Sequence, residues 1–253
     1  MKTLISFTIK AEFGMFKKPD INDKIFVSYN IVHKPYLLGI LGAIIGYRGH
    51  NQNSDKSKMP EYYEKLKDIR VAIAPSDKNG GIFKKEFIIF NNTTNGSIAN
   101  ITEQTLVNPA YRIYLELDDD NEEHIQLIDS LKNHKAVYPP YMGKNEFSLW
   151  WWDIKNEKTT FHLHEKFEKI ESKEKKIEVK TIIKTDENFE IKNSGYKERT
   201  TNYFYLFERL PIGFDEQLKQ YKYHDFLYTN NVFKSTKQLQ NLYECDEGVI
   251  CLF

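Results

Sequence analysis

The chain has 253 residues, 40% of them hydrophobic, with 36 basic and 36 acidic side chains and a formal net charge of zero. This is enough apolar material for a core in one large domain or two small ones. The balanced charge excludes a nucleic-acid binder driven by a global positive field, but not one with a local basic patch. The two cysteines, Cys245 and Cys251, match no metal or redox spacing and read as ordinary thiols of a reducing, cytoplasmic compartment.

In chain order, Met1–Ala11 sets Leu4, Phe7 and Ile9 among polar residues and reads as a strand, not as a secretory signal. Phe13–Lys24, with Gly14, Pro19 and Asp20, reads as a loop. HKPYLLGILGAIIGYRG, His33 to Gly49, is the most apolar stretch. Its uninterrupted part, Leu37 to Ile45, falls well short of the roughly 20 residues of a membrane-spanning helix. A buried helix is expected, with Pro35 in its first turn and an apolar stripe of Leu37, Leu41, Ile44 and Ile45. Gly39, Ala43 and Gly46 form a second stripe of small residues, expected to let the helix lie tight against a sheet or partner.

A short helix is expected near Glu61–Lys67 and a strand over Ile69–Ala74. Gly80-Gly81 opens a hairpin-like pair, Ile82–Phe90 and Ile98–Val107, around the turn cluster NNTTNG, Asn91–Gly96. Tyr111–Leu117 reads as a strand. Asp118–Asn121 caps a helix from Glu122 to about His134, with Ile125, Ile128 and Leu131 on one face and Lys132, His134 and Lys135 at its end. Phe147–Asp153 completes a β-α-β-β-α-β order once the hairpin is set aside, the ferredoxin-like arrangement shared by RNA-recognition motifs. The expected fold class is therefore α+β: a ferredoxin-like domain over 1–155, with a hairpin inserted at about 82–107. A smaller C-terminal antiparallel β domain would follow over 156–253. There Thr159–Lys192 reads as a meander, Tyr203–Leu210 as an aromatic strand, Asp215–Leu227 as helical or irregular, and two strands end the chain.

Several clusters carry both a plain and a chemical reading. DDDNEEH (Asp118–His124) is explained by capping, without a metal. HLH places His162 and His164 on one side of a strand, but two ligands without a third make a surface strand the better reading. WWW (Trp150–Trp152) fits core packing better than base stacking. The lysines of Lys166–Lys184 are nearly cancelled by Glu165, Glu168, Glu171, Glu174 and Glu178, which describes a solvated face. IFKKEFIIF (Ile82–Phe90) sets two lysines among Phe83, Phe87 and Phe90. Single-strand binding and an ordinary hairpin account for it equally well. His33-Lys34-Pro35 brings positive charge to a helix N-terminus, which suits a phosphate. No GxSxG, HExxH, Walker loop or GxGxxG after a strand is present, and no cofactor or metal is implied.

AEFGMFKKP (Ala11–Pro19), KPYLLGILGAIIGY (Lys34–Tyr47), NPAYRIYLEL (Asn108–Leu117), YPPYMGKNEF (Tyr138–Phe147) and FERLPIGFDE (Phe207–Glu216) occur in an order that resembles the fifth family of CRISPR-associated (Cas) proteins, of the type I-B kind. The resemblance spans nearly the whole chain. It implies a non-catalytic subunit of the Cascade effector complex that caps the 5′ handle of the CRISPR RNA in antiviral defence. It also implies a thumb at Ile82–Val107, and contacts with a backbone subunit of Cas family seven and a large subunit of Cas family eight, with no membrane partner. The alternative is a metal-independent endoribonuclease, as in type I-C members, for which this chain offers Tyr47, His134 and Lys135. Candidate RNA contacts are Lys17, Lys18, His33, Lys34, Tyr36, Tyr47, Arg48, Lys84, Lys85, Arg112 and Lys144.

Overall fold

The computed structural model describes residues 1–21, 25–55, 57–76, 79–94, 97–153, 158–171, 176–186, 189, 203–233 and 239–253. Its N-terminal part runs β1 (Lys2–Ala11), α1 (Lys34–Ile45), α2 (Glu61–Leu66), β2 (Arg70–Pro75), β3 (Lys85–Thr94), β4 (Ser97–Val107), β5 (Ala110–Asp118), α3 (Glu122–Lys132) and β6 (Leu149–Trp150), with two-residue strands at Phe13–Gly14, Phe16–Lys17, Ile25–Phe26 and Ser28–Tyr29 between β1 and α1. Phe13–Lys24 is therefore not simply a loop, because Phe13–Gly14 pairs with β4 and Phe16–Lys17 with Ser28–Tyr29. The central sheet has the order β6-β1-β5-β2. All its pairings are antiparallel, with Lys10 opposite Trp150, Ile5 opposite Leu115 and Ile73 opposite Ile113. The molecule is thus an α+β fold dominated by antiparallel sheet.

Local chemistry starts and stops the helices where expected. Pro35 occupies the first turn of α1, and Gly46 ends the helix in the left-handed region at φ 88°. Asn121 caps α3 by accepting the His124 N–H at 3.1 Å. The apolar stripe of α3 differs from the expected one. Leu127 and Leu131 are buried, whereas Ile125 is 50% exposed, because the helix is rotated toward α1 and the sheet.

One face of the sheet, carrying Ile5, Phe7, Ile9, Ile113, Leu115 and Ile73, meets Leu37, Leu38, Leu41 and Ile44 of α1 in the main core. Each fully buried side chain of this size contributes roughly 1.5–3 kcal/mol. The other face is covered as well. Leu4, Ala72 and Tyr114 pack against Tyr243, Cys245, Ile250 and Leu252 from the end of the chain. β1 therefore does not alternate: Leu4, Ile5, Ser6 and Phe7 are each at most 1% exposed.

The second half of the chain supplies β7 (His162–Leu163), β8 (Tyr205–Asp215), β9 (Gln220–Thr229), β10 (Leu242–Cys245) and β11 (Gly248–Cys251). The described part of 159–192 is not a meander; 172–175, 187–188 and 190–192 lie outside the described residues. Its short strands pair elsewhere, β7 with β1, Phe167–Lys169 with β10, and Ile183–Thr185 with β9. Asp215–Leu227 is not helical; β8 and β9 form one long hairpin, and the first residues of β9, Gln220–His224, have the two-residue alternation of a strand. Phe147–Asp153 is broken at Trp151. That indole turns into the core and donates to the Leu131 carbonyl at 3.0 Å, while Trp152–Asp153 pairs with Lys158–Thr159. Ile182, Leu210 and Phe226 join the main core, so residues on both sides of position 155 share it. Cys245 and Cys251 are buried free thiols. No helix among the described residues is long and apolar enough to cross a membrane.

Candidate nucleic-acid interface

The side of α1 turned away from the core borders a cleft of about 530 Å³. Six tyrosines from five parts of the chain line it: Tyr36 is in the first turn of α1, Tyr47 follows the helix, Tyr62 comes from α2, Tyr138 and Tyr141 from the segment after α3, and Tyr221 from β9. Two of the small residues of α1, Gly39 and Ala43, form its floor. The small stripe thus opens a cleft in place of meeting a sheet. The position that needs a glycine for contact is Gly42, where a Cβ would stand 2.4 Å from the Tyr62 Cβ. At Gly39 the nearest atoms, on the Tyr62 ring, would be 3.9 Å away.

Backbone bonds hold the walls. The N–H groups of Val137 and Tyr138 donate to the carbonyls of Ile44 and Ala43 at 2.9 and 3.0 Å. Tyr221 stacks on Phe214 at 4.8 Å, at the tip of the β8–β9 hairpin. Burial pushes the phenols of Tyr36, Tyr47, Tyr62 and Tyr221 above their ordinary values. They stay neutral at physiological pH, as flat apolar faces with a hydroxyl at the tip.

Of the residues singled out from the sequence, Tyr36 and Tyr47 lie on this cleft, and exposed Arg48 follows directly. His33 does not reach the surface. It is 1% exposed, beneath Tyr36 and Tyr221 at ring distances of 4.7 and 5.4 Å. Both its ring nitrogens lack partners, and burial holds its pKa down to about 3. The imidazole is a neutral support under the cleft, not a phosphate ligand. Lys34 reaches the Phe253 carbonyl at 3.4 Å, its pKa lowered to about 8 by burial.

A second group gathers at the base of the β3–β4 hairpin. Lys17 lies over the Phe26 ring at 3.4 Å, and Lys18 is 4.0 Å from Glu208 and 5.0 Å from the Tyr29 ring. Lys144 bonds Glu103 of β4 at 2.6 Å and lies 4.5 Å from the Phe90 ring, tying the hairpin to the body. Lys84, paired with Glu86, and Lys85 are exposed. The phenylalanines divide: Phe83 is buried against Tyr111 at 5.1 Å, while Phe87 is 60% exposed on the same face of β3 as Lys85 and Ile89. The tip of the expected turn at Asn91–Gly96 lies outside the described residues.

Arg112 belongs to neither group. It lies on the sheet face covered by the chain end, with Nε donating to Glu247 at 3.0 Å, Nη1 to the Thr160 carbonyl at 2.6 Å and Nη2 to Ser6 at 2.7 Å. His134 stacks on Trp152 at 5.1 Å, and Lys135 is 3.7 Å from Asp129. Neither is among the residues lining the cleft that holds Tyr47.

No family model matches the chain, and no curated protein matches it. Among solved structures it is similar to a chain of a CRISPR RNA-guided surveillance complex, at 10% identity and a TM-score of 0.47 over 92% of each chain. It is also similar to a CRISPR protein from Archaeoglobus fulgidus, at 12% identity and 0.44 over 98% of this chain and 97% of that one. A third likeness is to a chain of a Type III-B Cmr-beta complex bound to cognate target RNA and AMPPnP, at 11% identity and 0.41 over 92% and 85%.

Reasoning from the sequence missed Tyr62, Tyr138, Tyr141 and Tyr221. They come from three separate parts of the chain, α2, the segment after α3 and β9, so no spacing in the chain signals that they converge. The ordered run YPPYMGKNEF was the nearest pointer, since it contains two of them.

Proposed function

We propose that the chain is a non-catalytic, RNA-binding subunit of a type I CRISPR effector complex. In this reading it is a ferredoxin-like protein of the fifth Cas family, of the type I-B kind, that holds the 5′ handle of the CRISPR RNA. The observation that carries the proposal is the tyrosine cleft beside α1. Aromatic faces for bases, with lysines nearby for phosphates, are what unpaired nucleic acid requires. The ordered sequence resemblance supports the same reading, and so does the 4-1-3-2 strand order of the βαββαβ core. Tyr36, Tyr47, Tyr62, Tyr138, Tyr141 and Tyr221 would take bases. Arg48, Lys17, Lys18, Lys84 and Lys85 would take phosphates, with the β3–β4 hairpin as the thumb. The exposed Phe87 and Ile89 suit a neighbouring subunit, in this reading of the Cas family seven or eight.

The endoribonuclease alternative is less well supported. Burial makes the Tyr47 phenol harder to ionise, and His134 and Lys135 are engaged at the end of α3. The test is a gel-shift and cleavage assay of the full chain with labelled repeat RNA, precursor and mature, without magnesium. The expected result is a shift of the mature RNA and an uncut precursor. Tyr36→Ala or Tyr141→Ala should each weaken binding by about 1–3 kcal/mol per lost stack. Lys84→Gln and Lys85→Gln should each lower the salt slope by roughly 0.7. Cleavage at one position would establish the nuclease instead, and undiminished affinity in both tyrosine variants would remove the cleft from the interface.

A further inference from the structure

On the sheet face opposite the helices, the chain end brings a third ligand to the two histidines that the sequence leaves as a pair. His162 and His164 project to the same side, at β7 and just beyond it, and Asp246 stands in the turn between β10 and β11. Nε2 of His162 is 3.2 Å and Nδ1 of His164 is 3.5 Å from Oδ2 of Asp246. One ligand atom from each of the three residues lies within 4.8 Å of the other two. In a tetrahedral site with metal–ligand bonds near 2.0–2.1 Å, neighbouring ligand atoms stand about 3.3 Å apart, so the two measured separations fit.

The hydrogen bonds around the cluster supply an independent argument. Ser6 Oγ accepts from Arg112 Nη2 at 2.7 Å, and its one hydrogen has two acceptors in reach, Glu247 Oε1 at 3.1 Å and Nε2 of His164 at 2.7 Å. With that hydrogen on Glu247, Nε2 donates to Ser6 and Nδ1 keeps a bare lone pair, the tautomer that a metal ligand requires. That nitrogen belongs to a side chain with no exposed surface, has no hydrogen-bond partner, and faces a carboxylate oxygen. Lone pair against lone pair is unfavourable in a buried site unless a cation lies between them. The carboxylate is already oriented, since Asp246 Oδ2 accepts the Glu165 N–H at 2.9 Å and Oδ1 the Lys166 N–H at 3.0 Å. A histidine whose far nitrogen is fixed by a hydroxyl and a carboxylate behind it has the outer shell typical of metal ligands.

We propose that His162, His164 and Asp246 bind a zinc-class divalent cation, with water in the fourth position on the side where His162 and Asp246 are partly exposed. Two imidazoles and a carboxylate select a borderline ion such as zinc over magnesium or calcium. The ion would clasp the β10–β11 turn to β7, and through β7 to β1, sealing the second face of the sheet.

The test uses the full chain without an affinity tag, stripped with EDTA and dialysed, then titrated with zinc by calorimetry and with cobalt by visible absorption. About one ion per chain, a tetrahedral cobalt spectrum and a Tm that rises with zinc concentration are expected. His162→Ala changes a partly exposed side chain, so it should keep its Tm in EDTA while binding zinc more than about tenfold more weakly. Asp246→Asn should lose the zinc-dependent rise in Tm. Binding far below one equivalent, or undiminished binding in both variants, would overturn the site.

Discussion

The two faces of the central sheet are both sealed, but by different chemistry. Toward α1 the contact is apolar throughout, with Phe7, Ile113 and Leu115 against Leu37 and Leu41. Toward the chain end it is mixed: Leu4 and Tyr114 meet Ile250 and Leu252, while Ser6, Arg112, His164 and Glu247 form a polar network beside them. The apolar face depends on volume and shape, whereas the polar face depends on every partner being present. The sheet face that RNA-recognition motifs leave open is therefore covered here, and the tyrosine cleft lies on the far side of α1.

Core variants break this comparison most strongly. Phe7→Ala is expected to lower stability by about 3–5 kcal/mol in urea unfolding, from lost burial and the cavity left behind. On the other face Arg112→Ala should cost about 1–3 kcal/mol, because partly buried Glu247 is left without its cation. Replacing both Arg112 and Glu247 by Met should recover part of that loss, a recovery that no second change on the apolar face should match. If the double variant is as unstable as the sum of the single ones, the polar network is not acting as a unit.

Two glycines of α1 sharpen the contrast between its packed and open sides. Gly42→Ala is expected to destabilise by about 1–3 kcal/mol through overlap with Tyr62, despite the better helix propensity of alanine. Gly39→Ala should be stabilising by up to about 1 kcal/mol, because its methyl group enters the cleft. Thermal unfolding of the two variants should give shifts of opposite sign.

His33 offers a smaller, pH-dependent handle. Its folded pKa, about 3, lies below the ordinary 6.5, so the unfolded chain binds the proton more readily. Stability should fall as pH drops below 6.5, by up to ~1.4 kcal/mol per pH unit from this group. Urea midpoints between neutral and acidic pH should decline less steeply in His33→Phe than in the parent. Equal slopes would show that the buried imidazole does not titrate with unfolding.

Much of the architecture was legible in the chain because it rests on short-range signals. The apolar run from Leu37 to Ile45, Pro35 at its start and Gly46 at its end define α1. Asn121 and the acids after it define α3, and β-rich runs define β2, β4 and β5. The misreadings came where two short-range patterns competed. QYKYHDFLYT alternates only over Gln220–His224 and is polar enough there to pass for a loop or helix, and its pairing with Tyr205–Asp215 decided the matter. The candidate RNA contacts divided for a similar reason: composition shows that a residue is basic or aromatic, not which side of an element is covered. His33 and Arg112 are chemically suited to phosphate, and packing places one under the cleft and the other inside the polar face.

The amino-acid sequence by itself determined the main elements from β1 to α3, the ends of the helices and the α+β class, because period, propensity and capping act over one or two helical turns. Only the tertiary structure decided what converges. The six tyrosines of the cleft come from positions 36 to 221, and Asp246 reaches His162 across 84 residues. Such meetings depend on how the chain end folds back over the sheet, a matter of long-range burial that no local pattern encodes.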